Sequence, residues 1–392
     1  MTRIGQNTAI RVIRTAAIAG FVLGMAPDQP PQPEFTETVI RVGQMPGPIT
    51  VADVNHDGRP DIMVGNMKDG TVSILLGDGR GQFRPAPGSP FPCNANPNDI
   101  AVADMDGDGN PDLVIANTQT PYITILLGDG KGGFRPSPHS PFATQSFPHP
   151  HRVAVGDFLG DGEPAVVTDS WGHNEILVIP SDGKGNLLLP GKFFPADLHS
   201  DSGVIAADFN KDGKLDIVTV NQSEGVVGLL LGDGKGGFRK APGSPFPAGD
   251  TPWSFTVGDL NRDGNPDVAV IPYERDIRDP RRLGVTILLG NGKGGFDTMP
   301  GSPLSLAGCK GPSRVAIGDI RGDGSRGLVI SCAQNDKLFF FVRGKNGGFE
   351  SFSQGVSTGW GGLALADLTG RGKDDVLLSN EKEGTITILS KK

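Results

Sequence analysis

Seven short acidic clusters begin at Asp53, Asp104, Asp157, Asp208, Asp259, Asp319 and Asp367, at intervals of 51, 53, 51, 51, 60 and 48 residues. In four of them oxygen-bearing side chains alternate with other residues: Asp53, Asn55, Asp57 and Asp61; Asp104, Asp106, Asp108 and Asp112; Asp208, Asn210, Asp212 and Asp216; Asp259, Asn261, Asp263 and Asp267. Counted from the first Asp, positions 1, 3, 5 and 9 offer side-chain oxygens. Position 7, which is Arg59, Asn110, Lys214 or Asn265, offers its backbone carbonyl. A glycine follows position 5 each time (Gly58, Gly109, Gly213, Gly264) and permits the tight turn. Such a donor set suits a hard cation that takes six to eight oxygens, above all calcium. Asp-Gly and Asn-Gly pairs also make ordinary hairpin turns, but a turn needs only one or two such residues. Thirteen carboxylates confined to four loops repel one another unless a cation lies between them. The expectation is therefore a calcium ion in each of these four loops, about four in all. No Glu stands at position 12, so these are not helix-flanked EF-hands.

Three clusters depart from the pattern. The third carries Leu159 and Ala165 at positions 3 and 9, the sixth Arg321 and Gly327, and the seventh Thr369 and Arg371 with Asp375 retained. An arginine in the loop supplies its own positive charge, so no ion is expected at the sixth or seventh, and the third is a poor candidate.

The elements that position these loops repeat with them. An apolar stretch such as IAVAD (Ile100 to Asp104) leads into each cluster, LVIAN (Leu113 to Asn117) leads out, and a third, ITILL (Ile123 to Leu127), follows. Next comes a Gly-rich hairpin, LLGDGKGGF at Leu126 to Phe134 and again at Leu230 to Phe238, then a fourth extended segment. Four strands per repeat of about 50 residues is the pattern of a propeller blade. With 59 Gly and 33 Pro in 392 residues, long helices are excluded. The last unit stops after its third strand at Ile388-Leu389, while the chain opens with an orphan strand, Phe35 to Val42. Joined, they complete a seventh blade and remove the sheet edges that an open array would expose. The expected fold is all-β: a seven-bladed β-propeller over residues 35–390, closed by pairing of the N-terminal strand with the last blade.

The acidic loop between two strands, followed by a Gly-rich hairpin ending in Phe, resembles the FG-GAP/VCBS repeat family, the calcium-loop propeller of integrin alpha subunits and many secreted bacterial proteins. The resemblance covers about Phe35 to Leu389. It implies the fold and a metal, but no single activity, because this fold hosts many.

Arg3, Arg11 and Arg14 precede an apolar run from Thr15 to Ala26, the layout of an export signal over residues 1–26. That run is too short to span a bilayer, and residues 27–34 read as a Pro-rich linker. The protein is expected to be secreted, whether periplasmic, cell-surface or extracellular, with no membrane span after signal cleavage. A formal charge of -8 argues against nucleic acid, whose binding draws on Lys and Arg. Cys93, Cys309 and Cys332 allow at most one bridge; Cys309 and Cys332 flank a strand pair and stand equally well as a disulfide or as two thiols.

The scarce Trp and Tyr map to the blade connections opposite the acidic loops. Trp171 and Tyr273 fall in second-to-third connections, Tyr122 at the end of one, and Trp253 and Trp360 in or beside fourth-to-first connections. His139, His149, His151, His173 and His199 lie within or bordering the third unit, the one with a degraded loop. These residues either cap the core at strand ends or form a recognition surface for a glycan or protein. Its candidate members are Asn98, Asn117, His149, His151, Arg152, Asp169, Trp171, His173, Trp253, Tyr273, Arg275 and Trp360. An insertion from Pro272 to Gly284, with Arg275, Arg278, Arg281 and Arg282, would add a long loop to that face. The leading expectation is a calcium-stabilised binding or adhesion module. The alternative is a polysaccharide lyase or hydrolase using His149, His151, Asp169 and His173, although their spacing matches no HExxH, GxSxG or P-loop pattern.

Overall fold

The computed structural model describes residues 35–144, 150–170, 174–196, 203–273, 283–344 and 347–392. The expected signal and linker, residues 1–34, lie outside the described residues. Among these residues every regular element is a strand, and the strands form seven antiparallel sheets, the blades of a propeller. In each blade the strand that runs into the acidic loop is innermost: Pro46–Ala52, Pro97–Ala103, Val153–Gly156, Val204–Ala207, Pro252–Gly258, Pro312–Gly318 and Leu363–Ala366. These seven pack against one another in sequence around the axis, the last against the first.

The second strand of every blade, such as Asp61–Asn66, is buried along its whole length, because both of its faces meet a neighbouring blade. Such strands read as continuous apolar runs rather than alternating ones. The core is accordingly not central. Seven separate apolar clusters lie one between each pair of adjacent blades, as where Val54, Ile74 and Leu76 meet Ile100, Leu113 and Leu126. The ring closes as the sequence anticipates: Phe35–Arg41 pairs antiparallel with Thr385–Lys391, Phe35 opposite Lys391 and Arg41 opposite Thr385.

The fourth strand differs from expectation. In four blades it is broken in two, as Phe83–Pro85 and Phe91–Pro92, Phe134–Pro136 and Phe142–Ala143, Phe238–Lys240 and Phe246–Pro247, and Phe296–Thr298 and Leu304–Ser305, both pieces pairing with the same third strand. The break falls on a Pro-rich turn, APGSPF at Ala86–Phe91 in the first blade, where proline cannot donate to the ladder. A serine hydroxyl takes over as acceptor. The N–H groups of Ile74, Ile125, Leu229 and Ile287 donate to the Oγ atoms of Ser89, Ser140, Ser244 and Ser302 at 2.8 to 3.0 Å.

Of the two states left open for Cys309 and Cys332, the structure has the disulfide, with Cα atoms 5.4 Å apart. Cys93 is free and buried, and burial pushes its thiol up to about 12.

Candidate functional sites on the two faces

On one face stand the acidic loops. Their position-1 carboxylates accept the N–H of the following glycine: Gly58 to Asp53, Gly109 to Asp104, Gly213 to Asp208 and Gly264 to Asp259, at 2.8 to 2.9 Å. Those glycines sit at φ between 76° and 85°, the left-handed region that disfavours a Cβ. Position 5 likewise accepts the N–H of position 7, as Asn110 donates to Asp108 at 2.8 Å. In the second loop Asp104, Asp106 and Asp108 each bring an oxygen within 4.8 Å of the others.

Position 9 joins two loops. Asp61, Asp112, Asp216 and Asp267 are fully buried. One oxygen of each accepts the N–H of position 2 and the other accepts the N–H of the glycine that ends the third strand, at 2.7 to 3.0 Å. This carboxylate therefore ties the acidic loop to the Gly-rich hairpin. Burial pushes Asp112 and Asp216 up to about 6 against the pull of those donors. The glycine it holds is required sterically too: a Cβ on Gly77, Gly128, Gly232 or Gly290 would collide with the carbonyl oxygen of Pro60, Pro111, Leu215 or Pro266.

The degenerate loops are organised differently. Arg371 Nε donates to Thr369 Oγ1 at 2.7 Å, inside the seventh loop. Arg321 instead reaches out of the sixth, to the Arg343 carbonyl at 2.9 Å and the Glu350 carboxylate at 3.2 Å.

On the opposite face the ring axis opens into a cavity of about 510 Å³. The residue five places before each loop's first Asp lines it in all blades but the fourth: Pro48, Asp99, Arg152, Ser254, Arg314 and Gly362. Trp253 stands at its edge, 5.0 Å from the Tyr273 ring, and Tyr273 is in turn 6.0 Å from Trp360. Trp253 and Trp360 also border a side recess of about 190 Å³ with Arg314 and Glu381. His151 Nδ1 lies 2.8 Å from Asp169 Oδ2, and the backbone N–H groups of His151 and Arg152 both donate to Asp169 Oδ1 at 3.0 Å. Asn98 Nδ2 donates to the His151 carbonyl at 2.8 Å. Burial holds the Arg152 guanidinium below its usual range, opposed by Asp99 and Asp169. Arg314 is lowered to about 10, by burial first and by Arg152 second.

Thus Asn98, His151, Arg152, Asp169, Trp253, Tyr273 and Trp360 gather around one opening. Asn117 does not join them: it is fully buried and donates to the carbonyls of Cys93 and Ala95. His149, Trp171, His173, His199, Arg275, Arg278, Arg281 and Arg282 lie outside the described residues. Sequence reasoning passed over Asp99, Ser254, Arg314 and Glu381. The signal for the first three was present in their shared offset from the loop Asp, which marks one register of the inner strands.

Residues 53–115, 104–168 and 208–270 match the FG-GAP-like repeat, and these spans take in all four complete acidic loops. The chain carries FG-GAP-like repeats in a propeller fold. No curated protein matches it. Solved structures similar to this FG-GAP-like propeller include BBS1N in complex with ARL6DN, at 13% identity and a TM-score of 0.57, covering 90% of this chain and 94% of that one. A lectin from Agrocybe aegerita, solved for its recognition of non-reducing terminal N-acetylglucosamine, is 16% identical with a TM-score of 0.56, covering 88% of this chain and 86% of its own. The periplasmic gluconolactonase PpgL of Pseudomonas aeruginosa is 17% identical with a TM-score of 0.56, covering 80% and 86%. At these identities the likeness is one of fold.

Proposed function

We propose that this propeller is an exported, calcium-stabilised binding module whose axial mouth, on the face away from the acidic loops, takes a glycan or an extracellular protein. The observation that carries the reading is the mouth itself: a 510 Å³ opening beside the Trp253, Tyr273 and Trp360 rings, lined by buried and partly buried polar groups. Aromatic faces beside a few fixed polar groups are what sugar and protein contacts use. The lectin and BBS1N propellers, which bind a sugar and a protein partner, support it by analogy of fold. Screening the full chain on a glycan array, with Trp253→Ala beside it, tests the reading. Loss of a wild-type signal in a folded variant supports it, and wild-type signal retained in Trp253→Ala counts against the mouth.

Calcium would be held by Asp53, Asn55, Asp57 and Asp61 and their counterparts in the second, fourth and fifth blades. The all-oxygen donor set and the convergence of Asp104, Asp106 and Asp108 suit it. When bound, the ion neutralises the crowded carboxylates and braces the first two strands of a blade. A site with a dissociation constant of about 0.1 mM adds about 1.4 kcal/mol at 1 mM calcium, so a chelator should lower the melting temperature by several degrees. An unchanged melting curve would remove the ion from this account.

Export is supported by the arginines and apolar run before residue 27 and by the Cys309–Cys332 bond, since disulfides persist in oxidising compartments. Amino-terminal sequencing of the protein recovered outside the cytoplasm should begin beyond residue 20 or so. Catalysis is the second reading, favoured by the His151–Asp169 pair at the mouth, an arrangement that orients an imidazole for proton transfer. Product release from polysaccharides, abolished in His151→Asn, would select it.

A further inference from the structure

We propose that the glycan taken at the axial mouth is an acidic sugar, its carboxylate seated between Arg152 and Arg314 and its ring against Trp253 and Trp360. The proposal rests on the glycan-binding reading and narrows it.

The mouth is rich in hydrogen-bond donors that the protein leaves unused. A guanidinium carries five N–H groups. Among the described residues Arg152 commits one, from Nη1 to the Phe255 carbonyl at 3.3 Å, while its guanidinium lies 4.8 Å from the Phe255 ring centre. Arg314 also commits one, from Nη1 to the carbonyl of its neighbour Ser313 at 2.9 Å. Neither has a carboxylate within 4.0 Å among the described residues. The Trp253 Nε1–H and the Ser254 hydroxyl, both buried beside the same opening, have no partner among the described residues. The nearby carboxylates are partly engaged elsewhere: Asp169 with His151 and the Arg152 backbone, Asp99 with the Val153 N–H at 3.0 Å. Glu381 faces the side recess with Arg314 and Trp360.

The two arginines repel each other, and Asp99, Asp169 and Glu381 balance them only from beyond 4.0 Å, so an arriving carboxylate offers each a direct charge-assisted hydrogen bond that the protein does not supply. A neutral sugar offers the guanidiniums only uncharged acceptors and adds no charge to balance them. The rest of a sugar finds suitable partners too: ring C–H faces against the indoles, and hydroxyls that donate to Glu381.

The test is calorimetry on the full chain with a panel of uronic-acid and sialic-acid oligosaccharides, each paired with its neutral counterpart. At least one acidic member should bind ten-fold or more tightly than its neutral pair and weaken as salt rises. Arg314→Gln should cut that affinity ten-fold or more, Arg314→Lys less, and Arg84→Gln, exposed on the outer strand of the first blade, not at all. Should Arg152→Gln fail to fold, Arg314→Gln decides alone. Equal binding of acidic and neutral members, unmoved by Arg314→Gln, overturns the acidic inference and leaves glycan binding standing. Binding of an acidic peptide but of no saccharide overturns both readings, as does binding of none of them.

Discussion

The buried carboxylate at position 9 shows how one side chain can serve two elements. Asp112 accepts N–H groups from Met105 in the acidic loop and from Gly128 in the hairpin, at 2.8 and 2.7 Å. Removing it strands two buried donors, each worth about 1–3 kcal/mol when left without a partner. Asp112→Ala should therefore lose about 2–6 kcal/mol in urea denaturation even in excess chelator, where no calcium contributes. A loss seen only with calcium present would mean that metal ligation is the whole of its role. Cys93 makes a different prediction at this scale. Its thiol is buried and pushed up to about 12, so almost no thiolate forms at neutral pH. Thiol titration of the native protein at pH 8 should find no fast-reacting group, and in denaturant without reductant it should find one. Three groups in denaturant would mean that Cys309 and Cys332 are not bonded.

At the scale of the element, the broken outer strand depends on a serine. Ile74 is fully buried, and its N–H would face a gap in the ladder were Ser89 Oγ not 2.8 Å away. Ser89→Ala should cost about 1–3 kcal/mol, measured by urea denaturation, whereas Ser89→Thr should cost less; equal stability of the alanine variant would show that water serves as well. This element also marks where the sequence stops being legible. The strands that flank each acidic loop were readable because apolar runs and loop residues recur at nearly fixed spacing. A Ser-Pro turn recurs in four blades, yet proline says only that a ladder cannot continue, not that a hydroxyl repairs it. The acidic loops announced themselves in order along the chain, since each is a contiguous donor set. The axial mouth did not, because Asp99, Arg152, Ser254 and Arg314 come from four blades and meet only when the ring closes.

The whole molecule is held by that closure. Its seven apolar clusters lie between blades, so no blade has a core of its own, and opening any seam exposes two blade faces. The chain's first strand secures two seams at once. Ile40 is buried between the seventh and first blades, and the Phe35 ring stacks on Phe340 of the sixth at a centroid distance of 5.4 Å. Deleting residues 1–41 would remove both and leave Thr385–Lys391 as a bare sheet edge, a template for pairing with another chain. Deleting residues 1–34 spares the strand and serves as the control. Burial of Ile40 contributes about 2–3 kcal/mol, and the lost ladder adds about 0.5–1.5 kcal/mol per hydrogen bond. The longer deletion should thus be at least about 4 kcal/mol less stable than the shorter in urea. It should also elute as dimers or larger species in size-exclusion chromatography. Because the mouth is assembled from all around the ring, the same deletion should weaken ligand binding at a site that contains none of the deleted residues. A monomer with unchanged urea midpoint and unchanged affinity would show that six complete blades and the three remaining strands of the seventh hold the ring without this strand.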